Sequence, residues 1–248
     1  MKAGPVRARY FDDPDLDTLL SRSGLVVFDV NGLLVDDERA QLESALRVLE
    51  PYGILIDEER WELTCVGRRA DVYFASLLAE RGITPHGDLV GRLVREKNDA
   101  YRKIVSRTIG VLVRPGVYDI LGHIKNTPGQ RAAIATSALP GELDAIIGRE
   151  GLDIAARFDF IATGADIKKT KPDPEIYLLL SNASKTAPRD CLVFEDSGAG
   201  VASASNAGMA CAAVPNDFTL THDFSRASFV IDSLRRDTRI LRRPRRPL

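Results

Sequence analysis

The chain has 248 residues, 44% of them hydrophobic, with a formal net charge of −1 and three cysteines. That length and apolar content allow one large domain, or a domain with a smaller insert, and exclude wholesale disorder. The near-neutral charge gives no global attraction to nucleic acid or to a membrane surface, and no apolar run reaches the ~18 residues needed to cross a bilayer.

Asp12-Asp13-Pro14-Asp15 is placed to cap a short helix through Leu20. Leu25-Val26-Val27-Phe28 then forms an apolar run that ends at Asp29 and a turn at Gly32, the pattern of a buried central strand over about 24–30. Glu38 to Leu49 carries alanines and leucines at helical spacing and is closed by Pro51 and Gly53. Three further helical patterns follow, around Trp61, over Asp71 to Arg81 and over Leu89 to Val105. No buried strand interrupts residues 37–108, so this segment reads as a helical insert.

Strand and helix then alternate. Helices are expected at Val117–Ile124, Pro140–Arg149, Pro174–Ser181 and Gly198–Ala207. Strands are expected at 131–135, 158–162, 191–194, 210–214 and 227–231. The predicted fold class is therefore α/β, a doubly wound and mainly parallel sheet with an inserted α-helical cap. The core takes residues 1–36 and 109–234 and the cap residues 37–108. The basic stretch 235–248 is expected to be a solvated, frayed terminus.

Cys65, Cys191 and Cys211 are odd in number and form no C-x-x-C pair. They read as reduced thiols of a cytoplasmic protein, with Cys191 and Cys211 in the core. The N-terminus lacks the apolar stretch of a signal peptide.

Polar chemistry sits at the ends of the expected strands. Asp29 ends the first, Thr136-Ser137 the second and Glu195-Asp196 the fourth, and Lys171-Pro172 lies in the loop before a helix. A doubly wound sheet brings such strand ends to one edge, where ligands bind. Carboxylates with a hydroxyl and a lysine suit a phosphoryl group held with Mg²⁺. Taken singly, each has a plainer reading: a helix-terminal acid pair, a loop lysine, a cap. The histidines, His86, His123 and His222, show no metal-ligand spacing, and no G-x-S-x-G, G-x-G-x-x-G or Walker pattern occurs.

With these residues in order, the chain resembles the haloacid dehalogenase (HAD) superfamily over about residues 22–234. The carriers are Phe28-Asp29-Val30-Asn31-Gly32, Ala135-Thr136, Lys171-Pro172 and Glu195-Asp196. The insert resembles the helical cap of the subclass that includes β-phosphoglucomutase. Lys97-Asn98-Asp99-Ala100-Tyr101 and Val113-Arg114-Pro115-Gly116-Val117 are similar to CbbY-like sugar-phosphate phosphatases. The resemblance implies a nucleophilic Asp29 that forms an aspartyl-phosphate. It assigns phosphoryl binding to Thr136 and Lys171, and Mg²⁺ to Asp29, the Asn31 main-chain carbonyl, and Glu195 or Asp196. Gly32, Ser137 and the cap arginines Arg68 and Arg69 are expected to bind substrate. The partner implied is a small phosphorylated metabolite, without nucleic acid or membrane, bound by a monomer or homodimer.

The pattern breaks at Asn31, where phosphatases of the superfamily carry a second aspartate that protonates the leaving oxygen. An amide cannot do this, and losing such a group typically costs ~10²–10⁴ in rate. The reading is a Mg²⁺-dependent phosphatase slowed at Asn31, in which water, the substrate or a neighbouring acid such as Asp36 or Asp37 substitutes. The alternative is a catalytically impaired protein that binds a phosphorylated ligand or a protein partner. Arginine at 68 and 69 argues against an imine-forming phosphonate hydrolase, and the Glu195-Asp196 pair against a metal-free dehalogenase. Ala138-Leu139-Pro140 stands where relatives that grip a second phosphate carry Ser-Asn or Ser-Lys, which weakens the case for a bisphosphate.

Overall fold

A computed structural model describes residues 9–243. The chain enters through α1 (Pro14–Arg22), capped by the Asp13 side chain, and β1 (Leu25–Phe28). Four helices follow: α2 (Glu38–Leu49), α3 (Glu58–Thr64), α4 (Ala70–Glu80) and α5 (Leu89–Leu112). The remainder alternates: α6 (Val117–Lys125), β2 (Arg131–Ala135), α7 (Pro140–Ile147), β3 (Phe160–Ala162), α8 (Glu175–Ser184) and β4 (Cys191–Glu195). It ends with α9 (Gly198–Asn206), β5 (Ala210–Ala213), β6 (Phe229–Ile231) and β7 (Ile240–Arg242).

The strands form one sheet in the order β3-β2-β1-β4-β5-β6-β7. All pairings are parallel except β6 with β7. β1 lies between β2 and β4, with Phe28 level with Ile134 and Phe194. Alternate residues on these strands enter two separate apolar clusters. Val26, Phe28, Ile134, Leu192 and Phe194 pack on one face, with α1 and α6. Leu25, Val27, Ala133, Ala135, Cys191 and Val193 pack on the other, with α8 and α9. A strand buried on both faces is apolar throughout, which is why β1 and β4 read as unbroken runs.

A third cluster holds the helical segment together, with Leu49, Trp61, Phe74, Leu77, Leu78 and Leu93 at its centre. Phe218, from the chain after β5, inserts into it.

Two expectations need correction. Helix α5 continues past the expected Val105 to Leu112, because Ile109 extends its buried stripe onto the core cluster. The basic stretch is also not wholly frayed. Ile240–Arg242 pairs antiparallel with β6, and Arg243 forms ion pairs with Asp13 and Asp15. Residues 244–248 of that stretch lie outside the described residues. The three cysteines are buried and unpaired, and no described helix is long and apolar enough to cross a membrane.

Candidate active site

Strand parity assembles the site. Leu25, Val27 and Asp29 alternate onto one face of β1, and Cys191, Val193 and Glu195 onto the same face of β4. In-register pairing sets Asp29 level with Glu195, and the Asp29 N–H donates to the Phe194 carbonyl at 3.1 Å. Lys171 reaches both acids from the loop before α8. Its Nζ donates to Asp29 Oδ1 at 2.6 Å, to Glu195 Oε1 at 2.6 Å and to the Ala135 carbonyl at 3.0 Å. All three side chains are buried.

Burial disfavours an ammonium, but the two carboxylates reverse this and hold Lys171 charged. Glu195 is held below the usual carboxylate range: burial opposes its charge, and Lys171 and Ser197 more than compensate. Its Oε2 accepts from the Asp196 and Ser197 N–H groups, each at 3.0 Å, at the start of α9. Burial pushes Asp29 up to about 7, against the pull of Lys171 and with a push from Glu195.

Asp196 has no cation bonded to it. Its Oδ2 accepts from Asn216 Nδ2 at 2.8 Å, while burial, Glu195 and Asp29 push its carboxyl well up. The nearby Arg114 guanidinium donates instead to the Gly32 and Pro215 carbonyls. Three buried carboxylates therefore share one bonded ammonium, a deficit that a divalent cation between Asp29 and Asp196 would make good. Among the described residues no three His, Cys, Asp or Glu side chains form a metal cage. A partial protein set of two carboxylates and a carbonyl fits Mg²⁺, which keeps waters and takes phosphate oxygens. Gly32 makes room here: its φ is 77°, and a Cβ would stand 2.3 Å from Asp196 Oδ2.

Above this floor lies a cleft of about 620 Å³, including its open mouth. The floor contributes Asp29, Asn31, Thr136, Ser137, Lys171 and Asp196, and the helical segment roofs it with Trp61, Gly67, Arg68, Arg69 and Lys97. Gly67, at φ 74°, lets the roof approach so closely that a Cβ would lie 3.3 Å from Ser197 Oγ. Arg69 Nη1 also reaches the Gly164 carbonyl at 3.2 Å.

The expected residues divide. Asp29, Asn31, Thr136, Ser137, Lys171, Arg68, Arg69 and Asp196 line the cleft. Glu195 does not: both its oxygens are taken, so it anchors Lys171 and α9 instead of facing a ligand. Gly32 turns away, its N–H donating to Asp37 Oδ1 and the Val35 carbonyl. Asn31 Nδ2 donates to Asp37 Oδ2 at 2.7 Å, and its Oδ1 lies 3.4 Å from Thr136 Oγ1.

Asp37 accepts from Asn31, Gly32, Gln41 and Tyr101 and is outside the cleft; Asp36 is exposed. Neither is placed as a substitute acid. The carboxyls that do line the walls, Glu38 and Glu142, were missed. So were Gln41, Trp61 and Lys97. Lys97 did leave a signal, because it interrupts the buried stripe Leu93, Tyr101, Val105 of α5 at four-residue spacing.

A doubly wound sheet with an acid-and-lysine cluster at its carboxyl edge, roofed by helices, is the architecture of the capped hydrolases. The chain matches the haloacid dehalogenase-like hydrolase family over residues 26–214, and it belongs to that family. It is 35% identical to Protein CbbY of Rhodobacter capsulatus over 155 residues, 62% of this chain and 67% of that protein. It is 28% identical to Protein CbbY, plasmid, of Cupriavidus necator over 84% of this chain and 85% of that one. Among solved structures, a CbbY mutant from Rhodobacter sphaeroides, in complex with xylulose-1,5-bisphosphate, superposes with a TM-score of 0.78. The match has 24% identity and covers 86% of this chain and 95% of that one. β-Phosphoglucomutase from Clostridium difficile superposes with a TM-score of 0.75, again at 24% identity, over 86% and 92% of the two chains. Both structures share the fold.

Proposed function

We propose that this protein hydrolyses the phosphate ester of a small sugar through an aspartyl-phosphate on Asp29. The observation that carries the reading is Asp29 itself, buried at the edge of the central strand, bonded to Lys171 at 2.6 Å and open to the roofed cleft. A carboxylate oxygen of Asp29 attacks phosphorus, and the bond from phosphorus to the ester oxygen breaks. Water then hydrolyses the acyl phosphate and regenerates Asp29. Lys171 orients the nucleophile and screens the phosphoryl charge. Thr136 and Ser137 offer hydroxyls to the phosphoryl oxygens. Asp29, Asp196 and the Asn31 carbonyl would hold Mg²⁺, which supplies charge neutralisation for the phosphoryl group. The relatives named CbbY and the sugar-phosphate complex of one of them support the substrate class.

The leaving oxygen needs a proton that Asn31 cannot give. Glu38 lines the cleft, its Oε2 accepts from Trp61 Nε1 at 3.0 Å, and burial with the nearby Asp37 charge raises it to about 8. Unlike Asp29 and Asp196, which also line the cleft with raised carboxyls, Glu38 is neither the nucleophile nor in the proposed Mg²⁺ set, and it takes the donor's part here.

The test is phosphate release from a sugar-phosphate panel with Mg²⁺. Asp29→Asn is expected to abolish release, and Asn31→Asp to raise it by at least ~10². Persistent activity in Asp29→Asn would remove Asp29 as the nucleophile. The fixed Asn31 amide favours one second reading, a protein that binds a phosphorylated ligand without turning it over. Phosphate binding with no release in any form would establish that reading.

A further inference from the structure

Two of the three cations that the helical segment brings to the cleft, Lys97 and Arg69, are already neutralised. Lys97, 2% exposed, donates from Nζ to Gln41 Oε1 and to Glu142 Oε1 at 3.3 Å. Gln41 Nε2 donates to the same Glu142 oxygen at 2.5 Å and to Asp37 Oδ2 at 3.2 Å, so Lys97, Gln41 and Glu142 bond to one another, and all three line the cleft. Arg69 is spent as well. Its Nε and Nη2 fork onto the Asp71 carboxylate at 2.9 and 2.5 Å, and Nη1 takes the Gly164 carbonyl. Among the described lining residues, Arg68 is left as the cation with no ion-pair partner. Ala138 and Leu139 follow Ser137 and bring no side-chain donor, and Pro140 opens α7 without an N–H. Glu142 stands in the first turn of that helix, where it adds a carboxylate to the cleft wall.

Resting on the phosphatase reading of the same cleft, we propose that Glu142 is a specificity-determining residue. It neutralises Lys97 and so restricts the substrate to a monophosphate whose far end carries hydroxyls and no second phosphate. A second phosphate brings nearly two negative charges. It would meet Glu142 and would have to break the Lys97 pair to be matched. Hydroxyl groups suit the set as it stands, since Glu142 and Glu38 offer carboxyl oxygens without a change of charge.

The test uses two probes that differ by one phosphate, ribulose 5-phosphate and ribulose 1,5-bisphosphate. Phosphate release is measured with Mg²⁺, and binding of inorganic phosphate is followed by calorimetry. The full chain is expected to favour the monophosphate in kcat/KM by at least about tenfold. Glu142→Gln keeps the shape and removes the charge, and is expected to shrink that ratio at least about tenfold, mainly through a lower KM for the bisphosphate. A merely structural role for Glu142 would lower both rates and leave the ratio unchanged. Equal or reversed preference in the full chain overturns the proposal, and so does an unmoved ratio in a folded Glu142→Gln. If that variant does not fold, the preference of the full chain decides. Binding of inorganic phosphate alongside a wrong ratio defeats the specificity claim alone. Failure to bind phosphate or either ester defeats the phosphatase reading with it.

Discussion

At the scale of single residues, the site turns on protons placed against the usual order. Glu38 is neutral in the fold near pH 7 and would be charged in the unfolded chain, whose carboxyls titrate near 4.5. The folded state therefore holds a proton that the unfolded state gives up. The stabilisation from this group is complete below pH 4.5 and is lost as pH rises through about 8. Each unit of displacement corresponds to at most about 1.4 kcal/mol, or roughly 3–6 °C in a chain of this size. In metal-free buffer, the melting temperature should fall between pH 5 and 8.5, and Glu38→Gln should show a flatter decline. Parallel curves for the two proteins would show that Glu38 is ionised throughout. The same variant should slow turnover if Glu38 donates the leaving-group proton. The missed wall residues show what sequence leaves hidden. Glu38, Gln41, Lys97 and Glu142 are separated by up to 104 positions in the chain. Their meaning lies in a pairing that only the folded chain creates, whereas Asp29, Thr136 and Lys171 sit at strand ends and loops that periodicity locates.

At the scale of elements, legibility followed burial pattern. Helix α2 and strand β2 begin and end where the sequence places them, because polar and Gly/Pro boundaries bracket clean periodic runs. Strand β3 starts two residues late, since Phe158 closes a 3-10 turn over Ala155–Arg157. Strand β7 escaped notice because its two apolar residues, Ile240 and Leu241, are surrounded by arginines and aspartate. The loop after β5 also carries an unannounced duty. Phe218 leaves the sheet to enter the apolar cluster of the helical segment, and the Arg39 guanidinium lies 5.6 Å from its ring. Phe218→Ala should cost about 3–5 kcal/mol in denaturant unfolding. It should also raise KM, because the roof then loses an anchor to the floor. A full stability loss with an unchanged KM would mean that Phe218 supports folding without seating the roof.

At the scale of the whole molecule, the two clusters that sandwich the sheet and the third inside the helical segment describe a platform and a roof with separate cores. They meet at small, polar points: Gly67 over Ser197, Arg69 on the Gly164 carbonyl, Glu62 with Thr221, and Lys97 with Glu142. Apolar contacts join the two elsewhere, where Tyr101, Val105 and Ile109 of α5 enter the sheet's cluster and Phe218 enters the roof's, while the cleft side is closed by these polar points. The sheet itself has a different vulnerability. β6 is three residues, Phe229–Ile231, all buried, and β7 is what covers its outer backbone. Shortening the chain after residue 239 should leave the site's geometry intact, yet expose a row of unpaired N–H and C=O groups on an apolar strand. Such an edge recruits another copy. Light scattering during mild heating should detect association of the shortened chain well before the full chain, and equal scattering would show that the edge is protected by other means. The arginines that made this stretch look like a loose tail thus acquire a second value: they keep the last strand short, charged and unattractive to its neighbours, guarding the protein's solubility.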